Sequence, residues 1–233
     1  MMGTDPRVTM VSTPDDGSCG VGSYSGELRD ALSDEVEVGH VTLNTDANTA
    51  GHFLSVAVRA ARREADIIHV QHEYGLFGSK SAFSWLFFPV LALLARLGGR
   101  PVVLTVHEAW TRETIESGLY GLKIAYVLAV NWLLVLVADE MLFLSDAIAE
   151  RFTSTVSPPK YEIIPHGVNF DRAFDGDESE ARELLGLDPD RPLVVEPGYV
   201  SEQKGCDRFV NLAERFPQTT FLLAGGARTD DGK

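Results

Sequence analysis

Short apolar runs rich in β-branched residues alternate with helix-like segments along most of the chain. Several of these runs are continuously apolar rather than alternating, which is typical of strands covered on both faces in a parallel sheet. The regular strand–helix alternation predicts an α/β fold, a Rossmann-like doubly wound parallel sheet. The expected strands are "RVTMVST" (7–13), "VEVGHVTL" (36–43), "DIIHVQ" (66–71), "RPVVLTVH" (100–107), "DEMLFLS" (139–145) and "KYEIIP" (160–165).

Two of the intervening helices can be described from the pattern of apolar residues. The first is expected to begin at about Ser23, after a glycine-rich loop. The second is expected to carry Leu54, Val58 and Ala61 on the side that packs against the sheet.

A polar, acidic and turn-rich stretch at 165–190 predicts a domain boundary. A second α/β unit follows it, with "LVVEPGYV" and "TTFLLAGG" as strands and "KGCDRFVNLAERF" as the helix between them. We therefore assign 1–168 to an N-terminal Rossmann-like domain, and 169–233 to a linker and the start of a second one. A complete domain of this type needs roughly 100 residues or more, so the second is expected to be incomplete in this chain.

Two segments, 82–99 and 119–138, are unusually apolar. The first is short and contains Pro89 and Arg96, and the second contains Lys123 and Asn131, so neither fits a membrane span well. A span would also interrupt the strand–helix alternation. We expect both segments to be crossover helices packed on the sheet. The alternative is that an apolar face of one of them contacts a lipid surface.

Composition and charge exclude some classes of function. The chain has 233 residues, 45% hydrophobic residues, a net charge of -14 and a pI near 4.8. Because nucleic-acid binding relies on basic surface, this partner is not expected. Cys19 and Cys206 lie far apart, and the N-terminus lacks a signal-peptide pattern, so a reducing cytoplasm is the expected location.

The stretch "PDDGSCGVGSYSGEL" (14–28) lies between the first strand and the first helix. Glycines such as Gly20 and Gly22 permit positive φ angles and a close approach of the backbone to a ligand. A helix N-terminus then presents free N–H groups to an anion or a sugar hydroxyl. The alternative is an ordinary tight turn between strand and helix.

Hydrogen-bonding side chains crowd the end of the third strand, in "HVQHEYG" (69–75). A metal site is not expected, because His69 and His72 stand three residues apart on a strand and do not share one face. The carboxyl edge of an open α/β sheet is where such folds bind ligands. We therefore interpret His69, Gln71, His72 and Glu73 as a binding loop.

Two further residues are candidates for chemistry. His107 ends the fourth strand at the same predicted edge as His72, although a single histidine there is often structural. Lys204 and Gly205 open a helix that follows a strand, a good position for holding a phosphate. The alternative for Lys204 is a solvated surface lysine.

Taken in order, these blocks resemble the retaining GT-B glycosyltransferases of group 1, also called family 4. The resemblance covers about residues 7–226. The matching blocks are the glycine loop "CGVGSYSGEL", the acidic–histidine block "HVQHEYGLFG", the strand end "LTVHE", the hinge segment "IIPHGVN" and the donor block "GYVSEQKG".

The resemblance implies transfer of a sugar, with retention of configuration, from a nucleotide-sugar co-substrate to an acceptor hydroxyl, without a metal or another cofactor. It implies that His107 acts at the reacting centre and that Lys204, Gly205, Gly20 and Gly22 hold the donor. It also implies an acceptor pocket formed by His69, Gln71, His72 and Glu73.

The implied acceptor is a glycan or a lipid-linked molecule, which would place the enzyme in the cytoplasm, at times at the inner face of the membrane. Two features depart from the family pattern: Tyr199 stands where the family has an arginine, and the family's E-x7-E block, which belongs to its C-terminal domain, is expected to lie beyond Lys233. A truncated chain is therefore expected. A sugar-nucleotide epimerase of the same fold and a non-catalytic sugar- or nucleotide-binding module remain the alternatives.

Overall fold

A six-stranded parallel sheet forms the larger part of the molecule, as the strand–helix alternation predicts. The computed structural model describes residues 6–112, 120–167 and 174–226, and the chain divides into two compact units, Met1–Asn169 and Phe170–Lys233. The sheet of the first unit has the order β2-β1-β3-β4-β5-β6, and every pairing in it is parallel. Its strands are β1 (Arg7–Ser12), β2 (Glu37–Thr42), β3 (Ile67–His72), β4 (Val102–Val106), β5 (Glu140–Phe143) and β6 (Tyr161–Ile163).

The order of the strands confirms the doubly wound topology. The chain moves from β1 to β2 on one side and then returns to place β3 on the other side of β1. Because such crossovers are right-handed, the two directions of winding place helices on opposite faces of the sheet. The helices of the first unit are α1 (Gly20–Leu32), α2 (Ala50–Arg62), α3 (Ser84–Leu97), α4 (Tyr120–Val137) and α5 (Asp146–Thr153).

The first helix begins earlier than its sequence predicts. Cys19 has extended backbone angles and is the N-cap residue, and the N–H of Ser23 already donates to the carbonyl of Cys19 at 3.1 Å. Gly20 and Gly22 are therefore helical residues. The positive φ angle of this segment, +76°, is found at Gly17 instead.

The predicted inner face of α2 was also wrong in part. Leu54 is 40% exposed, whereas Phe53 and Val56 are completely buried with the neighbouring alanines. Thr49 caps the helix by accepting a hydrogen bond from the N–H of His52. The helix therefore turns the side with Phe53 and Val56, not the side with Leu54, against the core.

The two apolar segments form the crossover helices α3 and α4, which confirms the expectation that they pack on the sheet. Asn131, the polar residue within α4, is completely buried and fully used. It accepts a hydrogen bond from the Tyr74 hydroxyl at 2.5 Å and donates to the Trp110 carbonyl at 3.1 Å and the Thr155 hydroxyl at 2.8 Å. A buried amide needs such partners, and their positions explain why α4 is not purely apolar.

The second unit contains a parallel pair of strands, β7 (Leu193–Pro197) and β8 (Thr220–Ala224), and two helices, α6 (Glu178–Leu184) and α7 (Cys206–Ala213). The sequence predicted the strands and α7, but it missed α6 inside the stretch interpreted as linker. Asp177 and Glu180 form a capping box, with hydrogen bonds of 2.9 and 3.0 Å. The D-x-x-E spacing was the available signal for this helix.

Candidate active site

The carboxyl ends of β1, β3 and β4 are neighbours in the sheet, because the strand order places β3 between β1 and β4. The chain reverses its direction of winding at the β1–β3 pair. In open α/β sheets this reversal leaves a crevice at the carboxyl edge, where ligands bind. The loop after β1, the end of β3 and the end of β4 therefore form one candidate site.

A chain of hydrogen bonds joins β3 and β4 on one face of the sheet. The ring Nε2 of His69 lies 2.7 Å from the Thr105 hydroxyl and 3.3 Å from Nε2 of Gln71. At the other end of the amide, Gln71 Oε1 lies 2.9 Å from His107 Nε2. Residues two apart on a strand share a face, so the pairing of β3 with β4 brings these four side chains together.

His107 is held from the opposite side by two other aromatic rings. The ring of Tyr24, from α1, meets it edge-on at a centroid distance of 5.1 Å. The same tyrosine ring meets His166, from the segment after β6, at 4.7 Å, and the two imidazoles lie 6.0 Å apart. His107 is therefore fixed in orientation while its side chain is only partly covered.

Burial makes the histidines of this site poor bases. It lowers the pKa of His69 and of His107 to about 4, and the nearby His166 and His69 add to the effect on His107. Burial also raises the pKa of the Tyr24 hydroxyl. All these groups are neutral near pH 7, so the site offers uncharged hydrogen-bonding groups to a substrate.

The structure corrects the predicted acceptor pocket in part. Gln71 and His72 are completely buried and have no surface open to an acceptor, and His69 is only 9% exposed. His72 is enclosed by aromatic rings, stacked on Phe77 at 5.4 Å, and its ring nitrogens have no hydrogen-bond partner among the described residues. Glu73, which is half-buried, remains a predicted acceptor contact.

The glycines of the first loop have different roles from the predicted one. Gly22 is buried, and a Cβ atom there would collide with the backbone carbonyl of Pro14. Its close approach is thus to the protein's own loop rather than to a ligand. Gly20 is exposed at the start of α1 with open space around it, and its contact with a donor stays a prediction.

A groove of about 620 Å³ opens beside the aromatic rings. Its lining combines aliphatic residues with the phenol of Tyr24 and two carboxylates. The lining residues are Tyr24, Glu27, Leu28, Asp30, Ala31, Ile164, Pro165 and Gly167. The predicted hinge segment continues with Val168 and Asn169, which lie outside the described residues.

Lys204 lies in the second unit, in a separate pocket. It ends the short 3-10 turn Glu202–Lys204, and Gly205 follows with left-handed φ and ψ angles of +77° and 19°. A pocket of about 360 Å³ is lined by Glu202, Lys204, Gly205, Asp207 and Arg208. Only glycine adopts this backbone readily, so Gly205 allows α7 to begin directly beside the lysine.

Three residues of these sites were not assigned by the sequence analysis. Tyr24 and His166 surround His107, and Arg208 adds a second cation to the Lys204 pocket. The signal for Arg208 was its distance of four residues from Lys204 at the start of a helix. Nothing in the sequence alone indicated that Tyr24 would lie against the end of β4.

Neither a metal cluster nor a membrane span is found in the part of the chain that the structure describes. No group of three or more His, Cys, Asp or Glu side chains there could hold a metal ion. No helix among the same residues is both long and apolar enough to cross a membrane.

Comparison with known proteins agrees with this geometry. The sequence profile of Glycosyltransferase Family 4 matches residues 21–172. The chain is 31% identical over 91 residues to the D-inositol 3-phosphate glycosyltransferase of Mycobacterium sp. (strain JLS), a match covering 38% of this chain and 21% of that protein. It is 35% identical over 94 residues to the alpha-galactosylglucosyldiacylglycerol synthase of Streptococcus pneumoniae, covering 39% and 24%.

Among solved structures, sucrose-phosphate synthase from Thermosynechococcus elongatus superposes with a TM-score of 0.71 at 18% identity, over 97% of this chain and 63% of that one. At this identity the likeness shows the fold, which is that of a GT-B glycosyltransferase. The matched parts span about a fifth to a quarter of the two curated relatives. The family profile matches well over half of the residues of this chain, and the chain therefore belongs to glycosyltransferase family 4.

Proposed function

We propose that this protein transfers a sugar from a nucleotide-sugar donor to an acceptor hydroxyl, with retention of the anomeric configuration. The observation that carries the proposal is the position of His107 and the contacts that hold its ring. It stands at the carboxyl edge of the sheet, at the end of the strand next to the β1–β3 switch point, hydrogen-bonded to Gln71 and flanked by Tyr24 and His166, in a chain that belongs to a glycosyltransferase family.

In the proposed reaction the acceptor oxygen forms a bond to the anomeric carbon of the donor sugar. The bond from that carbon to the diphosphate breaks, and the proton of the acceptor hydroxyl passes to an oxygen of the departing diphosphate. Negative charge therefore develops on the departing diphosphate, and fixed positive groups that face it lower the barrier. Lys204, with Arg208 beside it, is the proposed source of that charge.

His107 serves the sugar rather than the phosphate in this scheme. It is neutral near pH 7, because burial lowers its pKa to about 4. A neutral imidazole can accept one hydrogen bond from a sugar hydroxyl or donate one to it, and it carries no charge that would attract a phosphate. Glu73 and the exposed Gly20 are the remaining proposed contacts, to the acceptor and the donor respectively.

Incubation with radiolabelled nucleotide-sugars and candidate acceptors tests the proposal. Label in a glycoside of unchanged anomeric configuration is the expected result. Conversion of the nucleotide-sugar to an epimer without transfer would instead establish the epimerase alternative. Saturable binding of nucleotide-sugar with neither product would establish a non-catalytic binding module.

Lys204→Ala is expected to weaken binding of the nucleotide-sugar and of the free nucleoside diphosphate together. Loss of a charge-assisted contact typically costs roughly 1–3 kcal/mol, which corresponds to about a 5- to 150-fold rise in Kd. Isothermal titration measures both ligands. Lys160→Ala is the matched control, because that lysine pairs with Glu140 in the first unit at 2.6 Å. If Lys204→Ala leaves the affinity for the diphosphate unchanged, Lys204 is a solvated surface lysine that does not bind the donor.

We further propose that the protein acts in the cytoplasm and contacts a lipid surface through α3 and α4. One matched relative is named alpha-galactosylglucosyldiacylglycerol synthase, and a lipid acceptor here would require access to a membrane. Exposed apolar residues follow one stripe of each helix at helical spacing. They are Trp85, Leu93 and Leu97 on α3 and Leu122, Trp132 and Leu136 on α4, all between 45% and 78% exposed.

Charge supports a lipid partner for this face. The protein carries a net charge of -14, yet α3 and α4 contain no Asp or Glu at all. Their charged residues are Arg96 and Lys123, and Arg96 donates to the carbonyl of Leu136 at 2.6 Å, which ties the two helices together. Trp and Leu are among the residues that interfacial helices bury in lipid, and no carboxylate on α3 or α4 opposes such a contact.

Liposome flotation in low and high salt tests the contact. The protein is expected to float with phosphatidylcholine vesicles in both salts, since each large apolar side chain fully removed from water contributes about 1.5–3 kcal/mol. The double variant Leu93→Glu, Trp132→Glu should remain at the bottom of the gradient. Leu54→Glu, an exposed leucine on α2, is the matched control and should float.

Two outcomes would contradict this hypothesis. Recovery of the unsubstituted protein in the soluble fraction at both salt concentrations would mean that the stripes do not bind lipid. Release by high salt alone would show a contact led by the basic residues at the helix ends instead of the apolar stripes.

A further inference from the structure

The amide of Gln71 lies between two imidazoles and is sealed from solvent. Its side chain is completely buried, and it reaches His69 with one end and His107 with the other. A completely buried glutamine that touches no solvent cannot bind an acceptor directly. Its amide instead contacts His107, the partly exposed histidine of the site, and can set the orientation of that ring.

We infer that Gln71 is a positioning residue: it fixes the proton of His107 on Nε2 and turns the other ring nitrogen, Nδ1, into a hydrogen-bond acceptor. The inference rests on the proposed function, and it changes the role of Gln71 from acceptor contact to support of His107. The geometry that carries it is the 2.9 Å hydrogen bond between His107 Nε2 and Gln71 Oε1.

The rest of the chain of hydrogen bonds fixes which end of the amide faces His107. Nε2 of Gln71, which can only donate, lies 3.3 Å from Nε2 of His69, so this ring nitrogen is the unprotonated one, and its single lone pair is shared with the Thr105 hydroxyl 2.7 Å away. The carbonyl end of the amide is then left for His107, and a carbonyl oxygen can only accept. A neutral histidine whose Nε2–H is donated must have its lone pair on Nδ1.

Among the described residues, three side chains meet His107, one from each of three elements. From α1 it meets the ring of Tyr24, from the segment after β6 the ring of His166, and from β3 the side chain of Gln71. His69 and His72 on β3 are buried, and burial lowers the pKa of each, so both are neutral near pH 7. The amide of Gln71 is thus the group that selects the tautomer.

The consequence for transfer is a specific one. With its lone pair on Nδ1, His107 accepts a hydrogen bond from a sugar hydroxyl rather than donating one. A substrate whose hydroxyl at this position is replaced by hydrogen or fluorine, neither of which can donate, loses the contact. The site therefore selects for a donor sugar that bears a hydroxyl there.

Nitrogen-15 NMR of the histidine side chains tests the inference on this chain without any assay of activity. The six histidines make the spectrum small, and the signal absent from His107→Ala identifies His107. We expect its proton on Nε2 in the unsubstituted chain and in Thr105→Val, which alters only the far end of the hydrogen-bonded chain. A proton on Nδ1 in the unsubstituted chain would overturn the inference.

Two variants of Gln71 complete the test. Gln71→Met keeps the length of the side chain but removes the acceptor, so His107 should divide its proton between both nitrogens. Gln71→Glu keeps an acceptor and adds charge that favours the imidazolium, so His107 should titrate at a higher pH than in the unsubstituted chain. If both variants leave the tautomer and the titration of His107 unchanged, Gln71 does not position it.

Kinetics then separate a positioning role from a merely structural one. By analogy with histidines oriented by an outer partner at metal sites, Gln71→Met should lower kcat by roughly 10- to 100-fold. In Gln71→Glu the acidic limb of the kcat profile should move to higher pH. A confirmed tautomer in a protein that transfers no sugar would leave the inference standing and refute the proposed function alone.

Discussion

His107→Ala is expected to lower the kcat of the proposed sugar transfer on the order of 100-fold or more. The side chain of His107 is partly exposed to solvent in the site, and Gln71, Tyr24 and His166 hold its ring in one orientation. Removing one group that is preorganised toward the reacting centre typically has an effect of this size. The expected change lies in kcat more than in KM, because the contact matters most when the anomeric bond is breaking.

Steady-state kinetics with a saturating acceptor measure this change. His52→Ala is the matched control, since His52 lies at the start of α2, outside the site, and accepts a hydrogen bond from the N–H of Asn44. That variant should keep kcat within about twofold. If His107→Ala also remains within about twofold, His107 has no part in turnover.

Acid is expected to destabilise the fold steeply between about pH 6.5 and pH 4. In the folded protein burial lowers the pKa of His69 and His107 to about 4 and that of His72 to about 3, whereas an unfolded histidine titrates near 6.5. As the pH falls through 6.5, the unfolded chain binds protons that the folded chain does not. Stability is therefore present above pH 6.5 and is lost below it.

The size of the loss follows from proton linkage. Each histidine lowers the free energy of unfolding by up to about 1.4 kcal/mol for every pH unit between the two pKa values. Urea unfolding at a series of pH values, followed by circular dichroism, measures it. If the free energy of unfolding stays constant from pH 7 to pH 4.5, the folded protein takes up these protons over the same pH range as the unfolded chain, and the pKa values of the histidines are not lowered.

His72→Phe separates the contribution of one histidine. The ring of His72 is buried among Tyr74, Phe77 and Phe88, and its nitrogens have no hydrogen-bond partner among the described residues. A phenyl ring fits this environment without a polar atom to desolvate or a proton to gain. The variant should be at least as stable at pH 7 and should lose less stability in acid.

The matched comparison is His69→Phe, in which a hydrogen bond to Thr105 is lost. This variant should be less stable at pH 7, because the buried hydroxyl and amide lose their partner. An equal loss at pH 7 in both variants would mean that His72 is also satisfied by a polar contact.

Much of the fold could be predicted because it depends on local patterns. Short apolar runs rich in β-branched residues, several of them continuous, identified β1 to β8. The helix α6 was missed because its seven residues bury no side chain, so no apolar stripe marked it. The face of α2 was misassigned because Leu54 and Phe53 are both apolar, and only the packed core distinguishes them.

The site was harder to predict than the fold. The sequence could locate His69, Gln71, His72 and His107 at strand ends, and strand alternation already implied that His69 and Gln71 share a face. It could not show that β3 is covered on both faces at His69, Gln71 and His72. Three predicted acceptor contacts therefore became internal residues, whereas Tyr24 entered the site from a helix with no detectable signal.

The sequence by itself determined the alternation of strands and helices, the acid-free composition of the two apolar helices and the placing of polar residues at the strand ends. These features depend on side chains within a few residues of one another. Only the tertiary structure decided that β3 pairs with β4 in the register that sets Gln71 opposite Thr105, and that α1 brings Tyr24 against His107. Such contacts join segments far apart in the chain, and no periodicity in the sequence encodes which side chain meets which across that distance.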